Sequence, residues 1–226
     1  QIIKKLITKN VPNEKLIPMG MVVHDTATKG ATDENEFNYF NNNNKLGASA
    51  HAFVDWDSIT QTVDWNKVSW HSGSTSNHRF IGVELCVPKT YDPNKFNEVW
   101  KRAVWLFAYV FVNIIKVYTI TKDNLMSHAE VSNKWKETDH TDPIAYFREY
   151  GKTVDDFRKE VQEEINNMIN KDWKEIIKEI SQQSNEWEKG INSIVELTNT
   201  NVNLGDIEIL KFLPDLIVKV YYSTTK

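Results

Sequence analysis

Met19-Gly20-Met21-Val22-Val23-His24 and Phe80-Ile81-Gly82-Val83-Glu84-Leu85-Cys86-Val87 are two short, β-rich apolar runs with little polar interruption. Strands buried on both faces read this way, because neither face alternates toward water. Two further strands are expected over 50–55 and 59–63, joined by a turn at Trp56-Asp57-Ser58. Between the first and second strands a helix is expected from Thr32 to Phe40, capped by Thr32 or Asp33 and ended by the run Asn41 to Asn44. Residues 93–116 form the longest helix candidate of this half, with Phe96, Trp100, Val104, Phe107, Val110 and Phe111 on one stripe that should cover a face of the sheet. The expected fold class is α/β, a central mixed β-sheet flanked by helices.

Beyond Gly151 the pattern becomes charge-rich and nearly free of strands. Val154, Phe157, Val161, Ile165, Met168, Trp173, Ile176 and Ile180 recur every three to five residues, the mark of an amphipathic helix, with a break expected near Asn170-Lys171-Asp172. A second helical stretch is expected from Trp187 to Leu197, and the apolar segment Ile207 to Tyr222 reads as helix in preference to strand. Two units follow: 1–152, and a small, mainly helical C-terminal module, 153–226. An apolar stripe this long needs a partner. Binding to another macromolecule or a homodimer through the module is the expectation, with packing onto the first unit as the alternative.

Composition narrows the function classes. The 226 residues carry 27 basic and 31 acidic side chains, a formal charge of -4, which gives no general attraction to nucleic acid or to an anionic membrane surface. Hydrophobic content of 40% with eight tryptophans suits a packed core. Cys86 is the only cysteine, so no intramolecular disulfide can form. Gln1-Ile2-Ile3-Lys4-Lys5 lacks the apolar core of a signal peptide, and no run approaches the roughly 20 apolar residues of a membrane span. Neither nucleic-acid binding nor membrane insertion is expected.

The chemistry concentrates at segment ends. His24 closes one apolar strand, and His128 follows Leu125-Met126-Ser127 at the end of another. A third metal-capable side chain lies in the polar loop Thr138-Asp139-His140-Thr141-Asp142-Pro143, 14 residues after His128. Two neutral imidazoles and a carboxylate form the ligand set of a catalytic zinc that keeps one position open for water. Glu84 interrupts an otherwise apolar strand, and burying a lone carboxylate is costly, so it should face a polar cleft or pair with a cation. A strand-edge Glu facing water is the plainer reading. Cys86, two residues further on, reads as a buried structural thiol.

Five segments in order, Met21 to Ala27, Ala48 to Asp55, Ser69-Trp70-His71-Ser72-Gly73, Ile81 to Cys86, and Ser127-His128 through Asp142-Pro143, carry a family resemblance. Over Ile2 to about Tyr150 the chain resembles the zinc-dependent N-acetylmuramoyl-L-alanine amidases of the T7-lysozyme and peptidoglycan-recognition type. It is especially similar to the catalytic domains of endolysins from phages of Gram-positive hosts.

The resemblance implies a peptidoglycan hydrolase that cleaves the amide between N-acetylmuramic acid and L-alanine, with Zn2+ as cofactor and bacterial peptidoglycan as partner. It implies His24, His128 and Asp142 as zinc ligands, Asp142 because the family's third ligand is a Cys or Asp immediately before Pro; Asp139 then reads as a loop cap. It makes Glu84 the catalytic carboxylate that orients and deprotonates the attacking water. His140 stands where many relatives carry an oxyanion-stabilising Lys, a departure that leaves a plain loop histidine as its other reading. His51, Trp70 and His71 match substrate-cleft segments, although His51 could equally pack beneath the cleft; His78 matches nothing specific. Some relatives bind peptidoglycan without cleaving it and typically lack a zinc ligand, whereas this sequence retains all three. The implied setting is an endolysin held in the host cytoplasm until release to the wall, or an autolysin secreted by a route the sequence does not show.

Overall fold

A computed structural model describes residues 1–43 and 45–182, with side chains as far as Lys171. Its centre is a six-stranded sheet built from β1 (Ile3–Lys4), β2 (Gly20–Asp25), β3 (Ala52–Val54), β4 (Ile59–Gln61), β5 (Phe80–Leu85) and β6 (Leu125–Ser127). The spatial order is β1-β4-β3-β5-β2-β6. Only the β3–β4 hairpin is antiparallel; every other neighbouring pair runs parallel. The two apolar runs that open the sequence reading are thus the adjacent central strands, buried on both faces. Gly20 begins β2 where no side chain fits, since a Cβ there would lie 2.1 Å from the Asn124 carbonyl oxygen.

Register sorts the side chains between the two faces. Met21, Val23, Ile81, Val83, Leu85, Ala52 and Val54 point into the main core. That core is closed by α3 (Pro93–Val110), α5 (Ile144–Glu149) and α6 (Val154–Gln182). Asp92 caps α3 by accepting from the Asn94 and Lys95 N–H groups, with Pro93 in the first turn. After Val110 the helix widens into a π-helical turn, Phe111–Ile115, so the long helix expected to residue 116 exists but changes pitch. The opposite face carries Val22, His24, Gly82, Glu84 and Phe53, and a small cluster of Val22, Phe80, Met126, Val131 and Trp135 forms under α4 (His128–Trp135). At the hairpin side of this face lies α1 (Asp33–Asn42), whose Thr32 cap and Asn35 form a reciprocal capping box.

The domain boundary expected after Lys152 falls too early. Residues 1–171 form one compact unit. Val154, Phe157, Val161 and Ile165 are all buried in the main core, and the Phe157 ring lies 4.9 Å from Phe107 and 5.2 Å from Trp100. The amphipathic stripe therefore finds its first partner in the sheet-covering helices, which is the packing alternative for this part of the stripe. The expected break near 170–172 is not seen either: α6 runs as one helix from Val154 to Gln182. The helices expected at 187–197 and 207–222 lie outside the described residues, as does any wall-binding or dimerising surface there. Among the described residues, no helix is long and apolar enough to cross a membrane.

One polar tie joins α6 to the site. The buried Arg158 guanidinium donates from Nε to the Leu125 carbonyl at 2.8 Å and pairs with the Glu130 carboxylate. Glu130 in turn accepts the Ser127 N–H at 2.8 Å, in the capping box that starts α4. The first residue of that helix is His128.

Candidate active site

The site forms where β2, β5 and β6 end, outside the carboxyl edge of the parallel part of the sheet, where open α/β sheets characteristically bind ligands. His24 sits at the end of β2, directly across from Glu84 on β5. His128 opens α4 immediately after β6, because Ser127 and Glu130 cap the helix there. The Asp142 carbonyl accepts the Ala129 N–H at 3.1 Å, which folds the polar loop back onto the start of α4.

Three side chains meet at one point. His24 Nδ1 lies 3.1 Å from His128 Nδ1 and 3.1 Å from Asp142 Oδ2, and His128 Nδ1 lies 3.1 Å from Asp142 Oδ1. The outer hydrogen bonds of the two imidazoles fix their tautomers. His71 donates from Nε2 to the Phe80 carbonyl at 3.1 Å, leaving its Nδ1 to accept from His24 Nε2 at 3.0 Å. His128 Nε2 lies 3.2 Å from Thr138 Oγ1, a hydroxyl able to accept its proton. Each imidazole can thus keep its proton on the far nitrogen and turn a bare Nδ1 lone pair inward. Two such lone pairs at 3.1 Å repel unless a cation lies between them.

The donor set therefore fits a zinc ion. Ligands bonded tetrahedrally at about 2.0–2.1 Å stand roughly 3.3 Å apart, close to the spacing found. Asp139 is exposed and outside the cluster; Asp142 is the carboxylate in it. Burial would raise the Asp142 carboxyl, but its contacts with the His128 and His24 rings hold it well below the ordinary carboxylate range. Burial lowers both His24 and His71, so both rings are neutral near pH 7.

Glu84 faces the same space. Its Oε2 is buried and has no hydrogen-bond partner among the described residues. Burial, reinforced by the charges of Asp142, Asp25 and Glu36, pushes its carboxyl well above the usual range. A buried carboxylate left in this state is one that a cation or a proton-bearing substrate group completes. Asp25, beside His24, is also raised, to about 7, by burial and by Asp142, against the opposing charge of Lys29. Its position was not singled out in the sequence, where it reads as the polar residue that ends a strand.

The cleft around these groups measures about 520 Å³, with Trp70, His71, His140 and Thr138 on its walls. Trp70 is 38% exposed and lines the cleft. His140 is exposed and stacks flat on His128, ring centres 4.6 Å apart at 8°, with Nδ1 3.7 Å from Asp142 Oδ1. His71 borders the cleft but spends both ring nitrogens on protein, so its main contact is His24. Gly82 makes that possible: a Cβ there would lie 2.4 Å from the His71 ring.

His51 is not a cleft residue. It is fully buried, donates from Nε2 to the Lys67 carbonyl at 2.9 Å and accepts the Gly82 N–H at Nδ1 at 3.0 Å. With both nitrogens used and burial pushing its pKa down to about 4, it supports β5 from beneath, and a substrate contact from it is excluded. His78 is exposed, pairs with Glu14 and lies apart from the cleft. The Cys86 thiol is buried and raised by burial, and it does not line the cleft. Thr138 and Ser132, which steady His128 through a 2.6 Å hydroxyl contact, carry no sequence signal that marks them.

Fold and site together define an α/β protein with a His24-His128-Asp142 cluster able to hold a metal ion. The N-acetylmuramoyl-L-alanine amidase family model (Amidase_2) matches residues 14–145, and the chain belongs to that family of peptidoglycan amide hydrolases. It is 32% identical over 159 residues to Protein Ami of Listeria monocytogenes, covering 67% of this chain and 17% of that protein. It is 34% identical over 146 residues to the bifunctional autolysin of Staphylococcus aureus, covering 61% of this chain and 11% of the relative. The chain thus spans less than a fifth of the curated relatives it matches. Among solved structures, Staphylococcus aureus hydrolase AmiA, determined in complex with its ligand, superposes with a TM-score of 0.69 at 28% identity, covering 76% of this chain and 86% of AmiA. The catalytic domain of XlyA shares the fold, with a TM-score of 0.58 at 24% identity over 71% of this chain and 99% of that one.

Proposed function

We propose that the chain is a zinc-dependent amidase that hydrolyses the bond between the lactyl group of N-acetylmuramic acid and L-alanine. The observation that carries this reading is the pair of bare Nδ1 atoms and the Asp142 carboxylate set 3.1 Å apart beside an unpartnered buried glutamate.

His24, His128 and Asp142 would hold the zinc. Bound there, zinc supplies Lewis acidity that polarises the scissile carbonyl and makes water acidic enough to attack near neutral pH. Glu84 takes the proton of the attacking water and later delivers a proton to the departing alanine nitrogen, two steps that one buried carboxyl can serve in turn. His140, held by its stack on His128 at the open side of the cleft, donates a ring N–H to the carbonyl oxygen as negative charge develops. Trp70 offers an exposed ring face to the substrate across the cleft.

One relative is a bifunctional autolysin by name, and an endolysin from Bacillus subtilis shares this fold, so an endolysin or autolysin setting fits the chain equally. Elemental analysis tests the metal assignment: one zinc per chain is expected, reduced in Asp142→Ala and kept in Asp139→Ala. Loss of metal from Asp139→Ala alone would show that the wrong carboxylate has been named.

A further inference from the structure

Glu36 on α1 is a charged residue where the helix turns inward. Asp33, Glu36 and Phe40 share the stripe that faces the sheet, and two of the three have visible reasons to be there. Asp33 accepts from the Thr60 and Ser58 hydroxyls at 2.7 and 2.8 Å, and Phe40 packs on Phe53 with ring centres 5.1 Å apart. Glu36 has no hydrogen bond or ion pair with any described residue, yet it is only 6% exposed. The neighbouring Glu34 is exposed, so the helix has room for acidic side chains on its solvent face at no cost. Packing alone would favour an apolar residue at 36, because an unpaired buried carboxylate is destabilising.

The Glu36 carboxylate opens into the cleft that holds the metal-ligand cluster, between Tyr39, Phe40 and Ser49. Among the described residues four carboxylates border that cleft, Asp25, Glu36, Glu84 and Asp142, and no lysine or arginine does. A zinc ion would account for two of the negative charges and leave the rest uncompensated. Burial raises the Glu36 carboxyl, so its ionised form gains from an incoming cation more than an exposed glutamate would.

We propose that Glu36 anchors a subsite of the cleft that binds a primary ammonium group of the wall substrate. Two parts of peptidoglycan can present one: the side chain of a diamino acid in an uncrosslinked stem peptide, and a sugar whose N-acetyl group has been removed. The inference rests on the amidase reading above and deepens it by naming what the cleft selects.

The test compares the zinc-loaded 226-residue protein with Glu36→Gln on two pairs of soluble muropeptides. One pair differs only in acetylation of the diamino-acid side chain, the other only in acetylation of the sugar amine. The native protein should prefer the free amine in one pair by about 10-fold to 100-fold in kcat/KM, the range for a hydrogen-bonded charge contact. Glu36→Gln should lose that preference while cleaving the acetylated substrate as the native protein does. The pair that shows the effect identifies the source of the ammonium. Equal cleavage within both pairs by the native protein, or an unchanged preference in Glu36→Gln, overturns the subsite and leaves the amidase reading standing. Calorimetric binding of the same pairs to Glu84→Gln, with and without Glu36→Gln, reads the subsite without turnover. Ammonium-dependent binding lost with Glu36→Gln, together with no cleavage of any of the four muropeptides by the zinc-loaded native protein, would uphold the subsite and refute the amidase reading. Binding indifferent to acetylation refutes the subsite.

Discussion

Replacing His71 by Ala should weaken zinc binding without touching a ligand. His24 is 1% exposed, and its Nε2–H has one acceptor, His71 Nδ1 at 3.0 Å. Removing the ring leaves that donor buried and unpaired, at a cost of about 1–3 kcal/mol. The His24 ring can escape the cost by moving its proton to Nδ1, but that tautomer has no lone pair for the metal. Either route charges the metal-bound state, and 1–3 kcal/mol corresponds to roughly 5-fold to 150-fold in affinity. Loss of outer partners of metal-binding histidines elsewhere costs about 10-fold to 100-fold, which agrees. The assay is competition for zinc against a chromophoric chelator at fixed pH, with circular dichroism to confirm the fold. Gly82→Ala provides a second route to the same end, since its methyl group would displace the His71 ring from the opposite side. Zinc affinity within twofold of the native value in both variants would refute the argument that His71 sets the His24 tautomer.

Four other expectations follow from the same geometry. Glu84→Gln should retain zinc and lose about 100-fold to 10,000-fold in turnover, since the amide keeps the shape and removes the base; near-native wall hydrolysis by the loaded variant would contradict its role. His140→Ala should cost less, because the ring is exposed and acts from the cleft wall, and His140→Lys should restore part of the rate; a Lys variant slower than Ala would exclude a donor role. Truncation after Lys152 should give insoluble or metal-poor protein, as it strips Phe157 and Arg158 from the core, and a soluble, zinc-loaded fragment would refute that packing argument. Arg158→Ala should destabilise the chain by about 3 kcal/mol near pH 7, the low end for breaking a buried pair because Glu130 is partly exposed. Burial opposes, but the Arg158 contact outweighs it and lowers the Glu130 pKa below 4.5, so this contribution is complete above about 4.5 and is lost as pH falls through the lower folded value. The gap between the urea midpoints of the two proteins should therefore narrow as pH falls below about 4.5, and a gap that widens on acidification would contradict the ion-pair account.

The sheet was legible because β2 and β5 are unbroken apolar runs, and α3 because its stripe keeps one period through four turns. The three clustered residues were legible, His24 and His128 as imidazoles at strand ends and Asp142 through the family resemblance. Other features left no trace in a single sequence. Strand β1 is two residues long and is recognised only by its parallel pairing with β4. The role of His71 depends on a ring placed against Gly82 across a fold of the chain, and His51, two residues after Ser49 in an equally suggestive motif, turns out to serve the strand beneath. Periodicity in α6 revealed the helix but not its partner, so the boundary was drawn at a change of composition where the core in fact continues. Glu36 looked like an ordinary residue of an acidic helix, because which side of α1 meets the sheet is settled by Asp33 and Phe40 together.

The central claim is that this cleft breaks the amide joining glycan to peptide, and the chemistry of the wall fragments tests it most directly. Purified walls digested with the zinc-loaded protein should release new N-terminal alanine in step with loss of turbidity, with no new reducing sugar ends. Appearance of reducing ends, or solubilisation with an N-terminus other than alanine, would contradict the account.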